Sequence, residues 1–160
     1  MEKKILHTEV NILQLHELEP EILVLINKAK EQTDNAYAPY SNFRVGAAVL
    51  LENGALFVGS NQENAAYPSG LCAERVALFY ANAQYPIIPV KAIAIAAFAN
   101  GKFLDKPVTP CGSCRQVILE SETRFDNAID IYMFGQDFIY HIPGVKNLMP
   151  LSFVKDSLEG

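Results

Sequence analysis

A run of ten almost entirely apolar residues, Val90 to Ala99, constrains the fold more than any other part of the sequence. The run is too short to cross a bilayer, for which a helix needs about 20 residues. Its length and composition are typical of a β-strand that is covered on both faces. Such a strand requires a layer of structure on each side of its sheet.

Helices and strands are predicted on either side of this run. Pro20 begins a helix, because proline at the first helical position loses no N–H that the helix needs, and apolar residues recur at helical spacing to about Ala36. The dipeptide Asn53-Gly54 is typical of a hairpin turn, and it joins strands predicted over 43–51 and 55–60.

The rest of the chain continues this alternation. The remaining predicted elements are helices over 71–85 and 111–121, strands over 129–134 and 138–142, and a short terminal helix after Pro150. The order α-β-β-α-β-α-β, with one strand buried on both faces, predicts a mixed sheet between helices. This is a three-layer α-β-α sandwich of the α/β class.

Length and charge limit the possible functions. A chain of 160 residues predicts a single domain over 1–160, with 1–19 as an N-terminal extension that has room for one strand. The 18 acidic and 13 basic side chains give a net charge of −5, which argues against a nucleic-acid partner. The N-terminal residues lack the apolar core of a signal peptide, so we expect a cytoplasmic protein without a membrane partner. The charged residues from Glu120 to Arg124 are predicted to face solvent.

Three cysteines stand at the starts of two predicted helices, Cys72 in one and Cys111 and Cys114 in the other. Their odd number excludes a framework of paired disulfides. The partial positive charge at a helix N-terminus stabilises a thiolate, and two converging helix ends would bring three thiolates to one point. Because soft sulfur ligands select zinc, we predict one Zn²⁺ per chain, held by these side chains.

Glu74 and Arg75 closely follow the first cysteine. Three protein ligands leave a fourth position for water, whose pKa a zinc ion lowers to about 7–9. Glu74 could accept the proton of that water and pass it to a substrate. Three thiolates on Zn²⁺ leave a net negative charge, and a guanidinium from Arg75 that donates to the sulfurs would restore the acidity of the metal.

Two other interpretations use the same cysteines. Cys111 and Cys114 have the spacing of a redox pair, although that interpretation leaves Cys72 and Glu74 without a role. A structural zinc site would need a histidine as its fourth ligand. The candidates are His7, His16 and His141.

Four ordered motifs resemble those of one family. The segment Cys72-Ala73-Glu74, with a later PCGSCRQV from Pro110 to Val117, resembles the zinc-dependent nucleoside deaminases. Residues 37–48 read YAPYSNFRVGAA and residues 61–68 read NQENAAYP. They resemble the first-strand motif and the ribose-binding loop of the small homotetrameric cytidine deaminases. The resemblance covers roughly residues 29–116, with a weaker match at 148–153.

The resemblance implies a cytidine deaminase-like fold and a role for each matching residue. Cys72, Cys111 and Cys114 would bind zinc, and Glu74 would shuttle protons. Substrate-binding roles are implied for Phe43 against the pyrimidine, Asn61 and Glu63 at a ribose hydroxyl, the backbone N–H of Ala73 at the pyrimidine carbonyl, Tyr67 in the ribose-binding loop, and Phe153 in a neighbouring subunit's site.

The implied activity is hydrolytic deamination of cytidine and deoxycytidine to uridine and deoxyuridine, as in pyrimidine salvage. In it, zinc-bound hydroxide attacks C4 while Glu74 moves the protons. The partners would be a small nucleoside and three further copies of the chain, in a homotetramer with shared active sites. Two alternatives stay open at this point: a deaminase of another aminated nucleoside or heterocycle, and a zinc-stabilised binding module without turnover.

Overall fold

The computed structural model describes residues 1–159. The strands are β1 (Asn11–Leu13), β2 (Arg44–Leu51), β3 (Leu56–Ser60), β4 (Val90–Ala99), β5 (Lys102–Phe103), β6 (Asp130–Phe134) and β7 (Ile139–Pro143). The helices are α1 (Pro20–Gln32), α2 (Ala73–Gln84), α3 (Gly112–Phe125) and α4 (Asp156–Glu159). In this part of the chain the strands form one mixed sheet in the order β1-β7-β6-β4-β2-β3, and β5 pairs with the end of β4.

The predicted buried strand is β4, at the bounds expected from its apolar run. It lies between β2, to which it is antiparallel, and β6, to which it is parallel. The register with β6 pairs Ala92 with Asp130 and Ile95 with Met133. Within residues 1–159 no helix combines the length and the apolar character that a membrane span requires.

Helices cover both faces of the sheet. On one face, Leu25 and Ile26 of α1 pack with small and branched side chains of β2 and β4. On the other face, Leu78 of α2 and Ile118 and Leu119 of α3 pack against the sheet. The prediction of a three-layer α-β-α sandwich is confirmed.

Two glycines let helices approach the sheet closely. A Cβ at Gly46 in β2 would lie 2.0 Å from the carbonyl oxygen of Ala29 in α1. A Cβ at Gly59 in β3 would lie 2.6 Å from the backbone nitrogen of Ala77 and 2.8 Å from the carbonyl oxygen of Ala73, both in α2. Real Cβ atoms do not fit at such distances, so these glycines fix where α1 and the first turn of α2 sit on the sheet.

The N-terminal extension adds an edge strand to the sheet. β1 pairs antiparallel with β7, and Leu13 lies opposite Ile139. Asn11 Nδ2 lies 3.3 Å from His141 Nδ1, and the Glu9 backbone N–H donates to Asn147 at 2.8 Å. The extension therefore pairs the polar backbone edge that β7 would otherwise expose.

Some element boundaries differ from the predictions. α1 ends at Gln32 and continues as a 3₁₀ turn over Thr33–Asn35. α3 runs to Phe125 rather than Ser121, and it ends where Asp126 adopts a left-handed conformation with φ of 50°. The sequence contains no glycine or proline near Ser121 to end the helix there. β5 was not predicted, because two residues are too few for a periodic pattern.

The prediction that the charged residues from Glu120 to Arg124 face solvent is wrong for Glu122, which is buried, as is the neighbouring Ser121. The Glu122 carboxylate accepts the backbone N–H of Ile129 at 2.9 Å and that of Val145 at 2.7 Å. Burial raises the pKa of Glu122, while these two donors act in the opposite direction. The side chain thus joins α3 to the start of β6 and to the chain after β7, a contact that charge patterning does not reveal.

Candidate active site

The structure brings the three cysteines together. Cys72 precedes the first residue of α2, Cys111 precedes that of α3, and Cys114 lies in the first turn of α3. The Sγ atoms of Cys72 and Cys111 are 3.8 Å apart and those of Cys111 and Cys114 are 3.5 Å apart. All three lie within 4.8 Å of one another. Three sulfur donors at this spacing fit a zinc ion.

No histidine within residues 1–159 joins this group. His141, one of the candidate fourth ligands, has its Nε2 2.8 Å from the Asp130 carboxylate in the sheet. Its imidazole is therefore satisfied by neighbours in β1 and β6 rather than by a metal.

The surroundings of the thiols favour a thiolate at Cys72. Its pKa is lowered to about 5, chiefly because Cys114 donates to its sulfur, with further contributions from Arg75 and Cys111. The pKa of Cys114 is raised, because its thiol gives a hydrogen bond to Cys72 and because it is buried. These contacts stabilise negative charge on the Cys72 sulfur.

Glu74 and Arg75 contact this centre from the first turn of α2. The Glu74 side chain is only 5 % exposed, and burial is the main reason that its pKa is raised. One Arg75 guanidinium nitrogen lies 3.9 Å from the Cys72 sulfur and 3.4 Å from the Gly70 carbonyl oxygen, to which it donates. The first turn of α2 therefore carries two functional groups: the Glu74 carboxyl, which can hold a proton, and the Arg75 guanidinium, a cation beside the Cys72 sulfur.

A cavity of about 420 Å³ opens beside the thiols. It is lined by Ser41, Phe43, Val45, Asn61, Glu63, Cys72, Glu74, Ile95, Val108, Thr109 and Cys111. Six of the residues predicted from the sequence thus meet around one space: Phe43, Asn61, Glu63, Cys72, Glu74 and Cys111. A second cavity of about 520 Å³ shares Ser41, Asn61, Glu63 and Cys72 with it and extends past Tyr67.

The polar wall of the cavity is held by hydrogen bonds to β2 and the segment before it. Asn61 accepts the Val45 backbone N–H at 2.8 Å and donates to the Phe43 carbonyl at 2.9 Å. The Glu63 carboxylate accepts the Tyr40 backbone N–H at 2.8 Å and the Ser41 hydroxyl. These donors, Ser41 first, lower the pKa of Glu63. An amide and a carboxylate each retain capacity for at least one further hydrogen bond in this arrangement.

Three predicted residues lie elsewhere around the site. Ala73 is the first residue of α2, where backbone N–H groups have no partner within the helix. Tyr67 is 78 % exposed at the rim of the larger cavity, and its ring meets that of Tyr40 edge-on at 6.3 Å. Phe153 is 59 % exposed and is not among the residues, within 1–159, that line either cavity.

Several lining residues carried no predicted role. Ser41 lies inside the motif before β2. Its hydroxyl donates a hydrogen bond to the Glu63 carboxylate and accepts one from the Phe43 backbone N–H at 3.0 Å. Val108 and Thr109 precede the second cysteine motif in an irregular loop. Proximity to Cys111 in sequence was the available signal, but loop side chains have no periodicity from which to infer direction.

Comparison with known proteins agrees with this geometry. Residues 21–126 match the family described as the cytidine and deoxycytidylate deaminase zinc-binding region. A cytidine deaminase of Sporosarcina psychrophila is 39 % identical over 134 residues, which cover 84 % of this chain and 92 % of the relative. A cytidine deaminase of Halalkalibacterium halodurans is 46 % identical over 99 residues, which cover 61 % of this chain and 69 % of the relative.

Solved structures give the same result. The crystal structure of cytidine deaminase from Burkholderia pseudomallei superposes with a TM-score of 0.69 at 38 % identity, over 81 % of this chain and 97 % of the other. That of cytidine deaminase from Mycobacterium tuberculosis gives a TM-score of 0.67 at 29 % identity, over 85 % and 99 %. With its cysteine triad, its fold and these relatives, the chain belongs to the family of zinc-binding cytidine and deoxycytidylate deaminases.

Proposed function

We propose that this protein hydrolyses the exocyclic amino group of cytidine and deoxycytidine, giving uridine or deoxyuridine and ammonia. The observation that carries the proposal is the meeting of Cys72, Cys111 and Cys114 within 4.8 Å beside a cavity that the buried carboxyl of Glu74 also lines. The relatives named cytidine deaminase support the choice of substrate.

The three cysteines would hold one Zn²⁺ per chain, and the bound ion would supply a water of lowered pKa. Water replaces the amino group at C4 of the pyrimidine in the overall reaction. Glu74 accepts a proton from the attacking water, delivers it to N3 and moves a second proton to the departing amino group. Its buried position raises its pKa toward the working pH, as a residue that both takes and gives protons requires.

The remaining cavity residues would bind and orient the nucleoside. Phe43 supplies an apolar side chain for the pyrimidine ring, and the unpaired N–H of Ala73 donates to the ring carbonyl. Asn61 and Glu63 use their remaining capacity on a ribose hydroxyl. An amide and a carboxylate placed at a ribose hydroxyl select against analogues that leave them unpaired. Tyr67 closes the rim of the ribose side.

The direct test combines turnover with metal content. The purified protein is incubated with cytidine, deoxycytidine, deoxycytidylate and adenosine, and the change in absorbance and the released ammonia are followed while zinc per chain is measured. Cys72→Ala serves as the control that removes one sulfur donor. Zinc near one per chain with turnover of the two cytosine nucleosides supports the proposal. Zinc without turnover supports a binding module, and turnover of only another substrate supports a deaminase of different specificity.

We also propose that the active unit is a homotetramer with shared active sites. Phe79 and Tyr80 of α2 are 47 % and 54 % exposed, and Phe153 is similarly accessible, so apolar surface is left for contact between copies. In such an assembly Phe153 reaches a neighbouring subunit's cavity. Sedimentation analysis tests this: a fully active monomer would contradict both the assembly and the role of Phe153.

A cytoplasmic location and a part in pyrimidine salvage complete the proposal. Three free cysteines that must remain thiols to bind zinc are compatible with a reducing compartment. Cell fractionation, together with growth on cytidine as pyrimidine source in a strain that lacks its own deaminase, tests both points.

A further inference from the structure

The Arg115 side chain joins the start of α3 to the C-terminal segment over 148–153. Its Nε donates to the Pro110 carbonyl at 2.8 Å and its Nη2 to the Thr109 hydroxyl at 3.2 Å. Its Nη1 donates to the Leu148 carbonyl at 3.0 Å. Its backbone N–H donates to the carbonyl of Cys111 at 2.9 Å. The Arg115 side chain therefore contacts residues 109 and 110 of the loop and also the tail.

The neighbouring side chain attaches the tail at a second point. Gln116 Nε2 donates to the Phe153 carbonyl at 2.9 Å. Between these two attachments, Leu148 and Met149 pack against the core that contains α3. The tail is thus held by two consecutive residues that directly follow Cys114.

Cys111 depends on the loop that Arg115 holds. It is the exposed thiol of the three and, like Cys72, it precedes the first helical residue of its helix. Its position is therefore set by the peptide from Thr109 to Cys111 rather than by a helix on both sides. A guanidinium presents several donors in a fixed plane, so it can hold two groups of this loop and a third group from the tail in one geometry.

We propose that Arg115 is a positioning residue that fixes the loop before Cys111 and the C-terminal segment in a single arrangement. The inference rests on the proposed function only in that Cys111 is taken to hold zinc. Through the loop, Arg115 sets how firmly the metal is retained. Through Leu148, it sets where the tail that carries Phe153 leaves the core.

Variants at Arg115 and two controls test this in the zinc-loaded protein. The variants are Arg115→Ala and Arg115→Lys, and the controls are Gln116→Ala and Arg124→Ala. Arg124 is matched because it lies on the same helix and its guanidinium also donates to a backbone carbonyl, that of Pro86 in a different loop. Zinc transfer to a coloured chelator, hydrogen exchange over 107–111 and 148–153, and the thermal midpoint are measured for each.

We expect Arg115→Ala to release zinc about 10- to 100-fold faster, as is usual when a residue that supports a metal ligand is lost. Hydrogen exchange should rise in both segments. Arg115→Lys should give a smaller effect in the same direction, since an ammonium donates from a single nitrogen and cannot reach three separated acceptors as the planar guanidinium does. Gln116→Ala should raise exchange at the tail only, and Arg124→Ala should retain zinc like the original protein whatever its thermal midpoint.

If both Arg115 variants release zinc at a rate within about twofold of that of the original protein, the proposal is overturned. It is also overturned if Arg124→Ala accelerates zinc release as much as Arg115→Ala does. If Arg115→Ala does not fold, the lysine variant decides. A zinc-loaded protein that turns over no cytosine nucleoside, but loses zinc faster in Arg115→Ala, would refute the proposed function and leave this inference standing.

Discussion

The two helix ends that carry the cysteines are held in place by different forces. α2 begins against β3, where a Cβ at Gly59 would lie 2.6 Å from one backbone atom of the helix and 2.8 Å from another. The first residue of α3, Gly112, has no such close neighbour. Among the described residues, no atom beyond its own helix and chain neighbours lies within 4 Å of a Cβ placed on Gly112. Its preceding loop is held by the hydrogen bonds of Arg115.

The difference predicts how each end responds to substitution. A helix end held by close packing depends on the volume of its neighbours, so changes there alter folding stability. A helix end held by hydrogen bonds depends on donors and their geometry, so changes there alter local order and metal retention. The two ends also differ chemically, since α2 adds the buried carboxyl of Glu74 and the guanidinium of Arg75 to its single cysteine.

The largest expected effect is on the chemistry assigned to α2. Glu74→Gln keeps the shape of the side chain but cannot shuttle a proton, so kcat should fall by about 10²- to 10⁴-fold. Zinc content should not change, because Glu74 does not belong to the sulfur group. The assay is ammonia release at saturating cytidine with zinc measured per chain. Glu120→Gln, at an exposed position on α3, is the control. A Glu74→Gln protein with nearly full kcat would remove the proton shuttle from α2.

Arg75→Ala tests whether the Arg75 guanidinium acts on the Cys72 sulfur or only holds the Gly70 carbonyl. Without its guanidinium, the charge of three thiolates on the metal is no longer withdrawn, so we expect kcat of the zinc-loaded protein to fall about 10- to 100-fold. The pH–rate profile should move to higher pH, because the metal becomes less acidic. Measurement across pH at saturating zinc tests this. Unchanged zinc affinity and unchanged turnover would show that the contact with Cys72 has no functional effect.

Matched glycine substitutions test the packing difference directly. Gly59→Ala should lower the free energy of unfolding by about 1–3 kcal/mol, because the new Cβ has to displace the backbone of α2. Gly112→Ala should be neutral or stabilise by up to about 1 kcal/mol, since alanine is favoured in a helix and has room there. Urea unfolding of both variants measures the difference. Equal losses of stability in the two variants would contradict the distinction between the two helix ends.

The smallest expected effect concerns pH and the wall of the cavity. Hydrogen bonds from Ser41 and Tyr40 lower the pKa of Glu63, so its ionised form favours the folded arrangement of this segment. By linkage, that contribution is fully present above the pKa of an unfolded glutamate, about 4.3, and is lost as the pH falls through the lowered value in the fold. Backbone amide resonances of Tyr40 and Ser41 should therefore shift in acid. Glu63→Gln should abolish this titration, and an unchanged titration in that variant would assign it to another group.

Local patterns predicted most of the fold. The apolar run gave β4 its bounds, Pro20 gave the start of α1, and Asn53-Gly54 gave the hairpin between β2 and β3. Each of these signals lies within a few residues of the structure that it specifies. The wrong predictions depend on features that a local pattern does not contain. The end of α3 is set by Asp126 in a left-handed conformation, without a glycine signal. Glu122 lies in the interior, where its carboxylate accepts hydrogen bonds from N–H groups 7 and 23 residues away.

The candidate site shows the same division. Spacing alone indicated Cys111 with Cys114, whereas the contact between Cys72 and Cys111 spans 39 residues and was predicted from the shared position of the cysteines at helix starts and from the family resemblance. The hydrogen bonds that Asn61 makes to β2, and the attachment of the tail by Arg115, left no trace in periodicity or composition.

Short-range patterns along the chain specify the elements and the donors: which segments form helices and strands, which cysteines stand at helix starts, and that a carboxyl follows one of them. How these parts meet depends on contacts between distant segments. Two helix ends converge on one point, one fixed by a missing Cβ and the other by a guanidinium, and an extra strand covers the edge of the sheet. The two kinds of information differ in the range over which they act. Periodicity and turn preferences act between neighbours along the chain, while packing volumes and hydrogen bonds between distant segments exist only once the chain has closed on itself.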